Sequence, residues 1–342
     1  MAIRQGRYTL NLTTRPSILG NAAVVGKTEG EGPLSAEFDH IYTDDTLGEI
    51  SFEKAESTLQ REAIIRALDK AGKTPADADY ILAGDLLNQC IGTSFGIREL
   101  GIPFLGLYGA CSTMALSLGL ASVLVDAKAA TLAIASTSSH FASAERQFRQ
   151  PLEYGGQRPP TTQRTATAAG ASVVGYSDPN KPCVEAVTFG KIMDLGIKDA
   201  NNMGAAMAPA AADTIANFFT DTATAPADYD LILTGDLGLV GSQLLKELLQ
   251  KDHNIDISRN HTDCGLLIYD IEGQDVHAGG SGCGCAGSVF NSYILRRLSE
   301  GDLKKVLLVA TGALMSPTST LQGESIPSVA HAVLVAKPQN VS

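Results

Sequence analysis

Apolar runs broken by polar turns give this chain a regular succession of strands and helices. Residues 18–25 form an apolar run entered from Thr13-Thr14-Arg15-Pro16 and left at Gly26, which predicts a strand. Residues 34–49, with Asp39, Asp44 and Asp45, are polar and irregular and predict a surface loop. Residues 53–71 carry Ala55, Leu59, Ala63, Ile64, Ala67 and Leu68 at helical spacing and stop at Gly72, a common residue just past a helix end. A short buried strand is expected at 78–83, leading into Gly84-Asp85-Leu86. The apolar run 102–107 halts at Gly109, and 114–127 is a long stretch of helix formers. Strands at 131–136 and 171–176 flank a polar, arginine-containing segment. Asp178-Pro179-Asn180-Lys181-Pro182 is the clearest break in the chain.

Beyond that break the order recurs. A strand at 184–189, a helix at 203–219 and a strand at 229–233 lead into Gly235-Asp236-Leu237. The octapeptides D-Y-I-L-A-G-D-L (79–86) and D-L-I-L-T-G-D-L (230–237) are nearly identical. Cys283-Gly284-Cys285 precedes a helix at 288–298; strand 305–311 then echoes 131–137, and 328–336 echoes 171–176. The same ordered set appearing twice predicts an α/β protein built by duplication, with halves 1–177 and 178–342 fused into one compact unit.

Composition narrows the class. The 342 residues suffice for a sizeable core, and 44% hydrophobic against 18% charged residues is a globular balance. A formal net charge of −11 argues against broad affinity for nucleic acid or anionic lipid. Residues 1–11 lack the apolar stretch of a signal peptide, and the longest apolar run, 114–125, is too short to span a bilayer. Six unevenly spaced cysteines read as reduced thiols. A soluble, intracellular-type protein is expected.

The chemistry centres on G-L-Y-G-A-C-S-T-M-A-L-S, residues 106–117. Cys111 stands where a strand ends and a helix begins, so free backbone N–H groups and the positive end of the helix dipole converge on it. That position lowers a thiol pKa and suits a nucleophile or an anion site. A small buried hydrophobe is an equally good reading from the residues alone. His261, Cys264, His277, Cys283 and Cys285 lie in one region, but their spacing fits no common zinc site. Residues 279–287 lack the Gly-Lys-Ser/Thr ending of a phosphate loop.

A duplicated β/α chain with a cysteine opening its central helix resembles the thiolase fold. Within that superfamily it is similar to the stage V sporulation protein AD family of spore-forming bacteria. The residues that carry the resemblance are G-L-Y-G-A-C-S-T-M (106–114), S-T-S-S-H-F (136–141), Q-F-R-Q-P-L-E-Y-G-G-Q-R-P-P-T (147–161), I-L-T-G-D-L-G-L-V-G (232–241) and A-G-G-S-G-C-G-C-A-G-S (278–288). The resemblance implies an α/β, thiolase-like fold, duplicated βαβαβαββ halves forming a five-layered α-β-α-β-α core.

In condensing enzymes of this fold a thiolate takes the acyl group, and His or Asn side chains from the second half act as base and oxyanion donors. Cys111 falls at the nucleophile position. The first second-half position falls on Thr234-Gly235-Asp236, where an ionised aspartate cannot donate and would repel a thiolate. The second falls on 279–282, where Ser281 alone offers a hydrogen bond. His277 is the nearest substitute and reads better as a surface-turn residue. The expectation is a scaffold with lost catalysis and no cofactor, Cys111 being vestigial.

The family resemblance implies a ligand, dipicolinic acid (pyridine-2,6-dicarboxylate), alone or with Ca²⁺, and uptake into the developing spore. It also implies membrane proteins of the same uptake system as partners and a peripheral position on the forespore inner membrane. By analogy with the fold, a homodimer forms through a central strand of the first half. The candidate ligand-binding residues are Asp85, Asn88, Cys111, Ser112, His140, Asp236, Ser281 and Cys283, with one of Arg146, Arg149, Arg158 and Arg164 as a carboxylate clamp. The alternative is an active condensing or acyltransferase enzyme of the ketoacyl synthase III type, with Cys111 acylated from coenzyme A.

Overall fold

The computed structural model describes residues 1–147 and 158–340. Among the described residues, ten strands form the two repeated sheets, and Thr9–Asn11 adds antiparallel to one of them. In the first half these are β1 (Ser17–Val25), β2 (Tyr80–Gly84), β3 (Phe104–Gly106), β4 (Leu132–Ser139) and β5 (Ala168–Gly175). In the second they are β6 (Cys183–Phe189), β7 (Leu231–Thr234), β8 (His261–Asp263), β9 (Lys305–Ala313) and β10 (Ser328–Ala336).

The spatial order is β8-β7-β9-β10-β6-β1-β5-β4-β2-β3. Each half repeats one pattern, first-fifth-fourth-second-third. The outermost three strands of each are parallel, and the fifth strand runs antiparallel to both its neighbours. The two sheets meet at a single backbone pairing, Ser17 with Cys183. Parallel neighbours require crossover helices, and the apolar runs of β4, β5 and β10 are buried on both faces as such sheets demand.

The helices complete five layers. Helix α1 (Phe52–Lys70) covers the outer face of the first sheet, and α2 (Ile91–Ile97) packs on α1. Helices α4 (Met203–Thr222) and α5 (Gly238–His253) pack together, with α4 on the outer face of the second sheet. Between the sheets lie α3 (Thr113–Asp126) and α6, which runs from Cys283–Val289 through a π-helical turn Phe290–Ile294 into Leu295–Glu300. Helix α3 touches strands of both sheets, so its apolar residues face a wall on either side: Met114, Ala115, Leu118, Ala121 and Val125 are all buried. Its interior hydroxyls return to the helix backbone, Ser117 to the Met114 carbonyl and Ser122 to that of Leu118. No helix among the described residues is long and apolar enough to cross a membrane.

Several elements depart from the sequence reading. No element was expected between Gly235 and Cys283, yet the chain there forms α5 and β8. The α5 stripe of Gly241, Ser242, Leu245 and Leu249 is buried, a helical period that the glycines at its start obscure. The second central helix begins at Cys283 rather than 288, because Gly282 takes the helix-entry position. Within the expected 34–49 loop, His40–Ile41 pairs with the end of β1.

Candidate functional site

The chain reaches Cys111 through a turn held between the two sheets. After β3, the Leu107 amide donates to the Ala83 carbonyl at 2.9 Å. A Cβ on Gly84 of β2 would overlap the Leu107 carbonyl oxygen, and one on Gly312 of β9 would overlap that of Gly109. Ala110 adopts φ 47°, a left-handed conformation that costs a non-glycine residue on the order of 1 kcal/mol. Cys111 then sits in a 3₁₀ turn, Ala110–Ser112, two residues before α3 begins at Thr113. Ser112 is buried and directs its hydroxyl back to the Gly109 carbonyl at 2.6 Å, so it closes the turn.

Across from this turn, Asp236 follows β7. Its Oδ2 accepts the Gly282 amide at 2.8 Å and the Ser281 hydroxyl at 3.3 Å. Its side chain interacts with the Cys111 thiol, yet Oδ1 is buried and accepts no hydrogen bond of normal geometry. Gly282, at φ 99°, occupies a conformation that lets its amide point to Asp236 where α6 begins. The Gln163 amide ties the same loops together, donating at 2.7 Å to the backbone carbonyls of both Asp236 and Gly280. Residues 164–165 pair in parallel with Gly280 and Ser281. The segment after the first-half arginines thus braces the second-half turn.

Burial sets the protonation of these groups. Desolvation pushes Asp236 up to about 7, against the hydrogen bonds that favour its charged form. Asp263, behind it, is pushed by burial to about 6 while accepting the amides of Leu237, Gly238 and Gly265 and the Thr234 hydroxyl. Burial, then the charges on Asp236 and Cys283, raises the Cys111 thiol well above its ordinary value. This reverses the sequence expectation of a lowered thiol pKa: dehydration and an adjacent acid outweigh the helix end. All six cysteines are free and buried.

A cavity of about 20 Å³ opens beside Cys111, lined by Leu86, Tyr108, Ala110, Gln147, Met203, Ser281, Ala313 and Met315. That is room for one water. Of the sequence candidates, Cys111 and Ser281 line it, while Asp236 and Cys283 lie directly behind. Cys283 is fully buried against Cys111 and donates its thiol to the Ser138 carbonyl at 2.9 Å.

The other candidates have different surroundings. Asp85 accepts the amides of Leu87 and Thr93 and the Thr93 hydroxyl, at 2.6–2.7 Å, and holds the loop after β2. Asn88 is exposed on that loop. His140 is buried beside Phe52 and Phe141, its Nε2 at 2.7 Å from the Asp45 carbonyl and its Nδ1 accepting the Ala142 amide. Arg146 pairs with Glu53, Arg158 with Asp275, and Arg164 donates to Thr28 and lies over the Phe141 ring. Arg149 lies outside the described residues. His277 faces Asp275, at 3.5 Å, rather than Cys111. Among the described residues, no group of three or more His, Cys, Asp or Glu converges as a metal site.

Sequence reasoning did not single out Tyr108, Gln147, Met203, Met315 or Gln163 as site residues. Tyr108 and Gln147 lie inside quoted motifs, but Met203 and Met315 reach Cys111 only through tertiary packing. Outside the cavity lining, Glu56 is buried with Ser138 and Ser143 as hydrogen-bond donors, and burial and the charge on Asp85 push it to about 8.

The doubled sheet, the sandwiched central helices and the cysteine at the head of α3 define a thiolase-like fold. The fold is similar to that of 3-oxoacyl-[acyl-carrier-protein] synthase III from Aquifex aeolicus (TM-score 0.57, 14% identity, 94% of this chain and 99% of that one). It is also similar to that of Xanthomonas campestris OleA (TM-score 0.60, 14% identity, 94% and 96%). Residues 6–336 match the stage V sporulation protein AD family, and the chain is 48% identical to the stage V sporulation protein AD of Bacillus subtilis over 323 residues, 94% of each. The chain belongs to the stage V sporulation protein AD family.

Proposed function

We propose that this chain is a non-catalytic binding protein for dipicolinic acid, alone or as its calcium chelate, serving its uptake into the developing spore. Its carrier partners in this reading are membrane proteins of the same uptake system, which it meets at the face of the forespore inner membrane. The observation that carries the reading is Asp236 set against Cys111. A condensing site needs a thiolate with His or Asn donors around it. Here the thiol is dehydrated beside an acid, and the described cavity lining includes neither His nor Asn.

The lining of the cavity offers contacts to a small, flat, polar-edged ligand, though as it stands the cavity has room for one water. Tyr108, Met203 and Met315 provide apolar walls, while Ser281, Gln147 and Cys111 present polar atoms. A ligand larger than water enters by displacing the methionines, whose unbranched side chains repack readily. Homodimer formation belongs to the same proposal. The strand open to pairing is not a central one, as the analogy implied, but β3, a sheet edge with Phe104 and Leu105 exposed; Ile91, Phe95 and Tyr108 are exposed in the elements around it.

Calorimetric titration with dipicolinate, with and without calcium and with acetyl-CoA as control, tests the proposal. Saturable dipicolinate binding that Cys111→Trp abolishes supports it. No dipicolinate binding, with an acyl adduct on Cys111 by mass spectrometry after acyl-CoA treatment, overturns it in favour of an acyltransferase.

A further inference from the structure

The anion site proposed above contains a buried acid, and among the described residues no cation balances it. Asp236 is fully buried, its Oδ2 is held by the Ser281 hydroxyl and the Gly282 amide, its side chain interacts with the Cys111 thiol, and its Oδ1 accepts no hydrogen bond of normal geometry among the described residues. Among the described residues, the titratable groups that act on it most strongly are themselves acids. Cys111 faces it from the turn before α3, Asp263 and Cys264 from the end of β8, and Cys283 and Cys285 from α6. Among the described residues none forms an ion pair with Asp236. Ser281 and Cys111 separate it from the cavity by a single layer of side chains.

A carboxylate brought into that cavity places a second negative charge within a few ångströms of Asp236 in a dry setting. Two like charges there repel strongly, and one of them takes a proton. We infer that ligand binding at this site is proton-coupled: the pocket accepts a carboxylate anion only with Asp236 as the neutral acid. Where Asp236 is ionised in the free protein, one proton moves from solvent to it for each anion bound, and no other bond changes. Burial already holds Asp236 near neutrality in the free protein, so a modest pH change is enough to gate binding.

This inference rests on the cavity beside Cys111 being the dipicolinate site. Titration of the intact protein with dipicolinate from pH 6 to 8.5, in buffers of different ionisation enthalpy, tests it. The expected result is uptake of about one proton per ligand near pH 8, falling toward none near pH 6, with affinity dropping close to tenfold per pH unit at the alkaline end. Asp236→Asn is expected to bind with no proton uptake and a flat profile, whereas Glu56→Gln keeps the linkage. The buffer comparison on the unmodified protein stands even where a variant folds poorly.

Dipicolinate binding without proton uptake overturns the inference and leaves the ligand assignment intact. So does binding only as the calcium chelate with no proton uptake, since the cation then neutralises the ligand. Linkage that persists in Asp236→Asn and vanishes in Glu56→Gln likewise overturns it. Absence of dipicolinate binding at every pH overturns both readings.

Discussion

Asp85 and Asp236 hold the same place in two copies of one octapeptide, and their carboxylates do different things. Asp85 turns to its own loop and accepts the amides of Leu87 and Thr93. Asp236 turns away from its loop to the Gly282 amide and the Cys111 thiol. The loop-holding task in the second half falls to Asp263, which accepts the amides of Leu237 and Gly238. Duplication thus left one aspartate available to the pocket.

Asp85→Ala is expected to destabilise the protein by about 1–3 kcal/mol, because it leaves two buried amides and a hydroxyl unpaired. Chemical denaturation reads this as a lower midpoint. Dipicolinate affinity is expected to change little, since Asp85 does not line the cavity.

The turn before Cys111 makes a second prediction. Gly312→Ala places a methyl into the Gly109 carbonyl oxygen, so the turn or β9 must shift. Overpacking of this kind costs about 1–3 kcal/mol. A thermal melt is expected to show the loss, and calorimetry a weakened ligand site. An unchanged melting temperature in the Gly312→Ala variant contradicts the close approach.

Stability is expected to fall as pH rises from 6.5 to 8.5. Glu56 and Asp236, at about 8 and 7, are raised above their unfolded values. The folded state therefore holds more protons than the unfolded chain, and the stabilisation present below the unfolded pKa is lost as pH passes the folded one. Each proton contributes a slope of up to about 1.4 kcal/mol per pH unit. His261 and His331, lowered by burial to about 4, act oppositely, but only below their unfolded pKa near 6.5. Denaturation midpoints across this range check the sign, and Glu56→Gln is expected to flatten the alkaline part.

Native thiol chemistry should be slow. Burial raises Cys111 well above its ordinary value, and the other five thiols are buried too. Alkylation by iodoacetamide at pH 7.5 is expected to run at least about tenfold slower than in the unfolded chain. Fast, selective labelling of Cys111 in the native protein contradicts the dehydrated thiol.

For assembly, Leu105→Glu on the β3 edge is expected to convert a dimer to a monomer by light scattering. A monomeric unmodified protein removes the proposed pairing.

Much of the fold was readable in the residues, and the site less so. The paired octapeptides and the recurring order of apolar runs announce two equivalent sheets, and the turn around Gly109 places Cys111 at a strand–helix junction. The state of that thiol was not legible, because local position suggests activation while burial by Asp236 and Cys283, more than a hundred residues away, decides it. Met203 and Met315 look like any core methionine until the halves close on each other. Which of the four arginines, if any, clamps a carboxylate was not legible, because the partners of Arg146, Arg158 and Arg164, namely Glu53, Asp275 and Phe141, come from elsewhere in the chain or the fold.

The position of α3 between both sheets has a consequence for biosynthesis. The helix is complete once the ribosome has passed Asp126, but its second wall is β6, β9 and β10, the last of which ends at Ala336. At roughly 5–20 residues per second, that wall arrives on the order of ten seconds or more later. Throughout that interval the nascent first half carries an apolar helix face with no native cover. Early chain termination in the second half therefore yields a sticky fragment rather than a smaller working protein.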